Sequence, residues 1–331
     1  MTTTAAPKLR DLPFMDLYLR IDRQGEARYR SPARDETNIW SRQLPAEYMA
    51  EAWVVAEKAR TELAEPESAL DRAFQYDGMR FRLSYNKLDS GAEWIILRRI
   101  VSKVPTLDAL GYAPHIAKML MGLGRRHGLV LISGATGHGK TTTSFALLKH
   151  YLESQGGVAI SIEDPVEYML EGPVGDHAFC YQVQIPKGED WATPLKRALR
   201  WTPRYILVGE VRSPAAAEQL LRAATTGHLV ITTIHAGTIE ESLMGLMHLA
   251  EQSMGYPANF MVAQALTAAL HQTLNANGPY LRYIITEEDN AGDPVRSLIR
   301  ENRVGMINTY IDKMIAKMNA LQAAMATPAK K

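Results

Sequence analysis

The sequence predicts an α/β protein of two domains whose second half carries a parallel sheet, and three observations lead there. Apolar runs recur at Leu129 to Ile132, Val158 to Ile162, Tyr205 to Val208 and Leu229 to Ile234, and unbroken runs of this kind mark strands covered on both faces. Helical patterns separate the runs, as a parallel sheet requires. The 331 residues are more than one core usually organises. The stretch "VSKVPTLDALGYAP", with Pro105 and Pro114 and no regular period, reads as a crossing. The division that follows is an N-terminal domain over 1–105, a linker over 106–114 and a second domain over 115–331.

Each element has its own signal. The opening "MTTTAAPKLRD" lacks the apolar centre of a secretory signal, and no run approaches the roughly 18 apolar residues of a membrane span. The expectation is a cytoplasmic chain that reaches the inner membrane only peripherally, through partners. Asp16 to Asp22 alternates polar residues with Leu17, Leu19 and Ile21, the period of a strand with one wet face, opening a mixed sheet, and Gly25 offers a turn. Ala46 to Ala64 reads as an amphipathic helix. "AFQYDGMRFRLSYN" reads as two strands turning at Asp77 and Gly78, and Trp94 to Leu97 as another strand.

In the second half, the helix after the first buried strand carries Phe145, Leu147, Leu148 and Tyr151, and stops at Gly156 and Gly157. Ser213 before Pro214 has the pattern of a helix start, and Thr238 with Glu241 has capping-box spacing. The tail from Met306 to Leu321 repeats Ile307, Ile311, Met314, Ile315 and Met318, a helical stripe for the chain's own core or for a partner helix.

Composition excludes several classes. With 37 basic and 36 acidic residues the net charge is +1, which gives no overall attraction for nucleic acid. Cys180 stands alone, so an internal disulfide and a multi-cysteine zinc site are both ruled out, and it reads as a small packing residue.

"SGATGHGKTTTSFALLKH" sits between the first buried strand and its helix. Gly134 and Gly139 bracket four residues and precede Lys140 and Thr141, the complete G-x-x-x-x-G-K-[ST] pattern. Residues without a Cβ let the backbone N–H groups turn inward around a phosphate, at the positive end of a helix. The nucleotide-binding set is therefore Gly134, Ala135, Thr136, Gly137, His138, Gly139, Lys140, Thr141 and Thr142, with Lys140 on the β- and γ-phosphates and the Thr141 hydroxyl on Mg²⁺. Within it, Thr142, like Thr143, reads as a helix residue and His138 as a variable loop position. A glycine turn that binds nothing is the alternative.

Parallel strands end on one edge, where ligands bind. The four runs end at the glycine loop, at Glu163 and Asp164 in "SIEDPVEY", at Gly209 and Glu210 in "ILVGEVR", and at His235 in "ITTIHAGT". Hydrolysis of ATP needs a carboxylate to orient or deprotonate water. Glu210 is the candidate base, with simple pairing to Arg212 as the alternative. Glu163 and Asp164 are candidates for holding Mg²⁺ through water or sharing the base role, and the order of Glu163 and Glu210 stays open. His228 and His235 flank the fourth strand; sensing of the γ-phosphate and hydrogen-bonded packing both remain open, while metal ligation lacks a third ligand nearby.

"GATGHGKTT", "SIEDPVEY", "ILVGEVR" and "TTGHLVITTIHAGT", in this order, resemble the Walker A, Asp box, Walker B and His box of the secretion ATPase superfamily, the GspE, PilT and DotB type. The likeness extends to "FRLSYN", "LRRIVSKVPTLDALG" and "VRSLIREN", covering about residues 12 to 303. It implies a PAS-like α+β N-terminal domain, a RecA-like P-loop domain, a homo-hexameric ring and ATP with Mg²⁺ as cofactors. It also implies that ATP lies between domains and is completed by N-terminal arginines, carried here onto Arg80, Arg82 and Arg98. The short region after "LHQTLN" and the continuation "MINTYIDKMIAKM" resemble the DotB and conjugative TraJ branch more than PilT. The implied partner is the cytoplasmic face of a membrane secretion or conjugation complex, without zinc and without direct nucleic-acid binding. The competing readings are a pilus-retraction ATPase, a RecA-like nucleic-acid translocase and a non-catalytic nucleotide-binding scaffold.

Overall fold

A computed structural model describes residues 7–31, 40–64, 71–100, 103–185, 188–256, 258–275, 278–288, 290, 292–313 and 315–316. The chain divides into two compact units, Met1–Ser102 with Pro165–Met169, and Lys103–Asp164 with Leu170–Lys331.

The first unit contains β1 (Asp16–Arg20), β2 (Ala27–Arg30), β3 (Arg42–Gln43), α1 (Met49–Leu63), β4 (Asp71–Tyr76), β5 (Met79–Lys87) and β6 (Glu93–Arg99). Its sheet has the order β3-β2-β1-β6-β5-β4, and every neighbouring pair is antiparallel. This corrects the expected mixed sheet. The tightest of its turns is at Asp77 and Gly78, with φ of 48° and 74°, the left-handed pair that a two-residue hairpin needs. Leu17, Leu19, Phe81, Leu83, Ile95 and Leu97 form one buried face with Val55, Ala56 and Ala59 of α1.

The wet face expected for β1 also needs correction. Asp16 is fully buried. Register places it opposite Arg30 on β2 and Arg98 on β6, and its carboxylate lies 3.2 Å from Arg30 Nη1 and 2.8 Å from Arg98 Nε. A buried carboxylate without such partners would be strongly destabilising.

The second unit contains α2 (Pro114–Gly122), β7 (Gly128–Ser133), α3 (Lys140–Gln155), β8 (Gly157–Glu163), β9 (Gly172–Pro173), β10 (Ala178–Gln184), α4 (Ala192–Ala198), β11 (Tyr205–Val208), α5 (Pro214–Thr225), β12 (Leu229–Ile234), α6 (Ile239–Met254), α7 (Ala258–Ala265), β13 (Leu266–Asn275), β14 (Gly278–Ile285) and α8 (Pro294–Arg300). Its sheet runs β14-β13-β7-β12-β11-β8-β10-β9. The six strands from β13 to β10 are parallel, and β14 and β9 close the two edges antiparallel. The four strands read from the sequence form the centre; β10 and β13 extend it on either side.

Helix ends follow local chemistry. Ser213 and Thr238 accept from the backbone N–H groups of Ala216 and Glu241, and Gly156 ends α3 at φ 68°. The Glu241 carboxylate reaches Gly237 N at 2.7 Å, one residue before the expected capping-box position. Cys180 is buried, and burial pushes its thiol up to about 12. Of the tail stripe, Ile307 and Ile311 are buried in this unit's core and Ile315 packs against it, while Met314 and Met318 lie outside the described residues. No helix among the described residues is long and apolar enough to cross a membrane.

Candidate active site

The glycine loop joins β7 to α3 and is shaped by close approach. Gly134 has φ 148°, and a Cβ there would fall 2.3 Å from the Gln272 carbonyl oxygen on β13, so no side chain fits. Gly137 and Gly139 have φ of 82° and 78°, the left-handed region that favours glycine. Lys140 is buried and folds back over the loop, its Nζ donating to the carbonyls of Gly134 at 2.8 Å and Ala135 at 3.0 Å. Ala135, Thr136 and His138 complete the turn, closed by His138 N donating to Ala135 O at 3.3 Å. Thr141 and Thr142, half-buried, occupy the first turn of α3.

Behind the loop lies a residue the sequence reading missed. Gln272, on the neighbouring β13, donates from Nε2 to the His138 carbonyl at 2.7 Å. Its Oε1 accepts from Tyr112 at 2.6 Å and from Thr143 at 3.0 Å. Thr143, read as an ordinary helix position, is thus tied to the loop's support. Burial pushes the Tyr112 phenol up to about 12.

Strand order sets the lateral spacing of the other groups. β12, β11 and β8 lie one, two and three positions from β7, which puts their ends about 5, 10 and 15 Å along the edge at roughly 4.8 Å per strand. His235 follows β12, Glu210 follows β11 and Glu163 ends β8. Glu210 stands between two partners, paired with Arg212 Nη2 at 2.7 Å and with His235 Nε2 at 3.6 Å. The carboxylate holds the Arg212 guanidinium above its ordinary pKa through that hydrogen bond. The Arg212 pairing raised as an alternative is therefore present, alongside His235. Thr233 anchors the β11 end by donating to the Gly209 carbonyl at 2.7 Å.

Glu163 is differently placed. It is buried, and its Oε1 accepts from Ser161 at 2.7 Å and Gln182 at 2.9 Å. Asp164, the next residue, is exposed. The two carboxylates at the strand tips thus differ in setting: Glu163 is buried beside Ser161 and Gln182, whereas the exposed side chains of Arg212 and His235 meet Glu210.

His228 does not join the site within this chain. It precedes β12 rather than following it, and its carbonyl accepts from Gly128 N at the start of β7. Six strand residues at about 3.3 Å each separate it from the loop edge by roughly 20 Å. Its Nδ1 lies 3.0 Å from Ala223 O and 3.3 Å from Thr226 Oγ1, closing the end of α5. The pairing of His228 with His235 beside one phosphate is corrected accordingly.

In the first unit, Arg80 and Arg82 lie on the face of β5 opposite buried Phe81 and Leu83. Arg80 Nη1 lies 3.0 Å from Met169 Sδ, Arg82 is exposed, and Arg98 is engaged with Asp16.

Among the described residues no group of three or more His, Cys, Asp or Glu side chains gathers as a metal cage. The half-buried Thr141 hydroxyl beside Lys140 suits instead an ion that keeps its waters and is shared with a phosphate, the habit of Mg²⁺.

The family described as type II/IV secretion system protein matches residues 67–301. The type IV pilus retraction ATPase PilT of Pseudomonas aeruginosa is 31% identical over 246 residues, 73% of this chain and 69% of that protein. A twitching motility protein of Neisseria gonorrhoeae is 32% identical over 240 residues, and the type IV pilus ATPase PilU of Pseudomonas aeruginosa 36% over 157 residues. The chain spans 61% and 39% of the lengths of these last two, and covers 70% and 46% of itself in doing so. Among solved structures, the pilus retraction motor PilT with bound ADP superposes with a TM-score of 0.70 at 27% identity, covering 92% of this chain and 87% of that one. The Legionella pneumophila ATPase DotB gives 0.68 at 21% identity, covering 93% and 85%, a likeness of fold. With more than half its length matched, the chain belongs to the type II/IV secretion system protein family.

Proposed function

We propose that this chain hydrolyses ATP and, as a hexameric motor, drives a type IV secretion or conjugative apparatus of the DotB and TraJ kind from the cytoplasmic face of the inner membrane. The observation that carries the ATPase reading is the placement of Lys140's loop and the Glu210–His235 pair on one edge of parallel strands. Loop N–H groups and Lys140 would bind the phosphates, and Glu210 would orient the attacking water, with Arg212 and His235 fixing its carboxylate. Glu163, whose Oε1 accepts from Ser161 and Gln182, suits a water-mediated contact with Mg²⁺ better than proton transfer. Thr141 would hold Mg²⁺, which would supply neutralisation of the charge on the phosphates. Arg80, Arg82 and Arg98 enter the proposal as cations completing the site.

The biochemical test is Glu210→Gln. Turnover should fall at least a hundredfold while nucleotide affinity stays within about threefold; unchanged turnover removes Glu210 as the base. The identity to PilT over 73% of the chain favours a second reading, pilus retraction. Deleting the gene separates the two: loss of substrate or plasmid transfer supports the first, and loss of twitching the second.

A further inference from the structure

Tyr112, Thr143 and Gln272 bring three polar side chains together in a place where none is exposed: they are 8%, 1% and 2% accessible. The Tyr112 hydroxyl lies 2.6 Å from Gln272 Oε1 and 2.8 Å from Thr143 Oγ1, and Thr143 Oγ1 lies 3.0 Å from Gln272 Oε1. Two hydroxyl protons serve this triangle of oxygens, and the carboxamide oxygen, which brings none, is an acceptor in it. That leaves Nε2 to donate to the His138 carbonyl, and the reversed amide would set carbonyl against carbonyl.

The consequence falls on one peptide group. In a trans peptide the C=O and the next N–H point in opposite directions. With the His138 carbonyl drawn toward Gln272, the Gly139 N–H is turned away from it. Gly139 is the N-cap of α3 and directly precedes Lys140, so this N–H is among the donors at the helix's positive end. Gln272 also flanks two of the three loop glycines: a Cβ on Gly134 would strike its carbonyl, and one on Gly139 would lie 3.1 Å from its Nε2.

We propose that Gln272, oriented by Tyr112 and Thr143, is a positioning residue that fixes the His138–Gly139 peptide so that its N–H is available to a nucleotide phosphate. This rests on the nucleotide-binding reading of the loop. Tyr112 belongs to the stretch after Pro105 and Gln272 to a strand 160 residues later, so the device joins parts of the chain that share no motif.

Affinity for the fluorescent nucleotide mant-ADP and steady-state ATP kinetics of the full chain, with melting temperature alongside, test it. Gln272→Glu keeps the shape and replaces the amide donor with a carboxylate oxygen facing the His138 carbonyl. Its mant-ADP Kd and its KM for ATP should rise tenfold or more, with kcat within about threefold, because a phosphate contact made equally in ground and transition states acts on KM. Tyr112→Phe should raise Kd about threefold, and the double variant should bind no more weakly than Gln272→Glu alone. Wild-type Kd in both variants, even with a lowered melting temperature, would mean the triad only packs, and overturns the proposal. If Gln272→Glu does not fold, Tyr112→Phe decides by the same criterion. A wild-type chain that binds no mant-ADP overturns the nucleotide reading itself, and this inference with it; a binding wild type with unaffected variants overturns the positioning role alone.

Discussion

His228 and His235 stand at opposite ends of β12, and the two edges they mark have nothing else in common. At the carboxyl-terminal edge, His235 meets Glu210, the glycine loop holds a buried lysine, and polar groups end adjacent strands. At the amino-terminal edge, the His228 ring bonds to the carbonyl and hydroxyl that finish α5. The lesson is that strand direction, more than residue type or nearness in sequence, decides which histidine can serve chemistry in a parallel sheet.

The comparison can be broken from either side. Lys140→Ala should give the largest effect, weakening nucleotide binding at least a hundredfold by removing the buried lysine over the loop, as equilibrium binding of mant-ADP would record. Retained affinity would undo the account of the carboxyl-terminal edge. Next in size, His235→Ala should slow turnover about tenfold by releasing Glu210, whereas His228→Ala should leave turnover unchanged and cost about 1 kcal/mol of stability in denaturant unfolding. Equal kinetic effects would erase the distinction between the edges.

The smallest effect carries the same logic into the first unit. Arg82 and Arg98 are direct cross-strand partners, yet Arg98 holds a buried carboxylate and Arg82 faces solvent. Arg98→Ala should lower stability by about 1 kcal/mol, limited because its head is half exposed and Arg30 remains on Asp16. Arg82→Ala should leave the unfolding midpoint in place.

Much of this was legible in the sequence for a physical reason. Strands buried on both faces need unbroken apolar residues, and a phosphate loop needs glycine where a Cβ would collide, so both leave marks in one dimension. β13 leaves a weaker mark: "LTAALHQTLN" mixes leucine and alanine, which suit a helix as well, and its β-branched residues are two threonines, without valine or isoleucine. Asp16 looked solvated because alternation was read without register, and only pairing with β2 and β6 shows the two arginines that permit its burial. Gln272 could not be read at all, since its partners are 129 and 160 residues away and the link is tertiary.

The most direct test is a crystal structure of the chain with Mg²⁺ and a non-hydrolysable ATP analogue. The account predicts the β- and γ-phosphates inside the turn from Gly134 to Lys140, with Lys140 Nζ moved from the Gly134 and Ala135 carbonyls onto phosphate oxygen and Glu210 facing the γ-phosphate. Phosphates bound elsewhere, or Lys140 still seated on those carbonyls beside an ordered analogue, would contradict it.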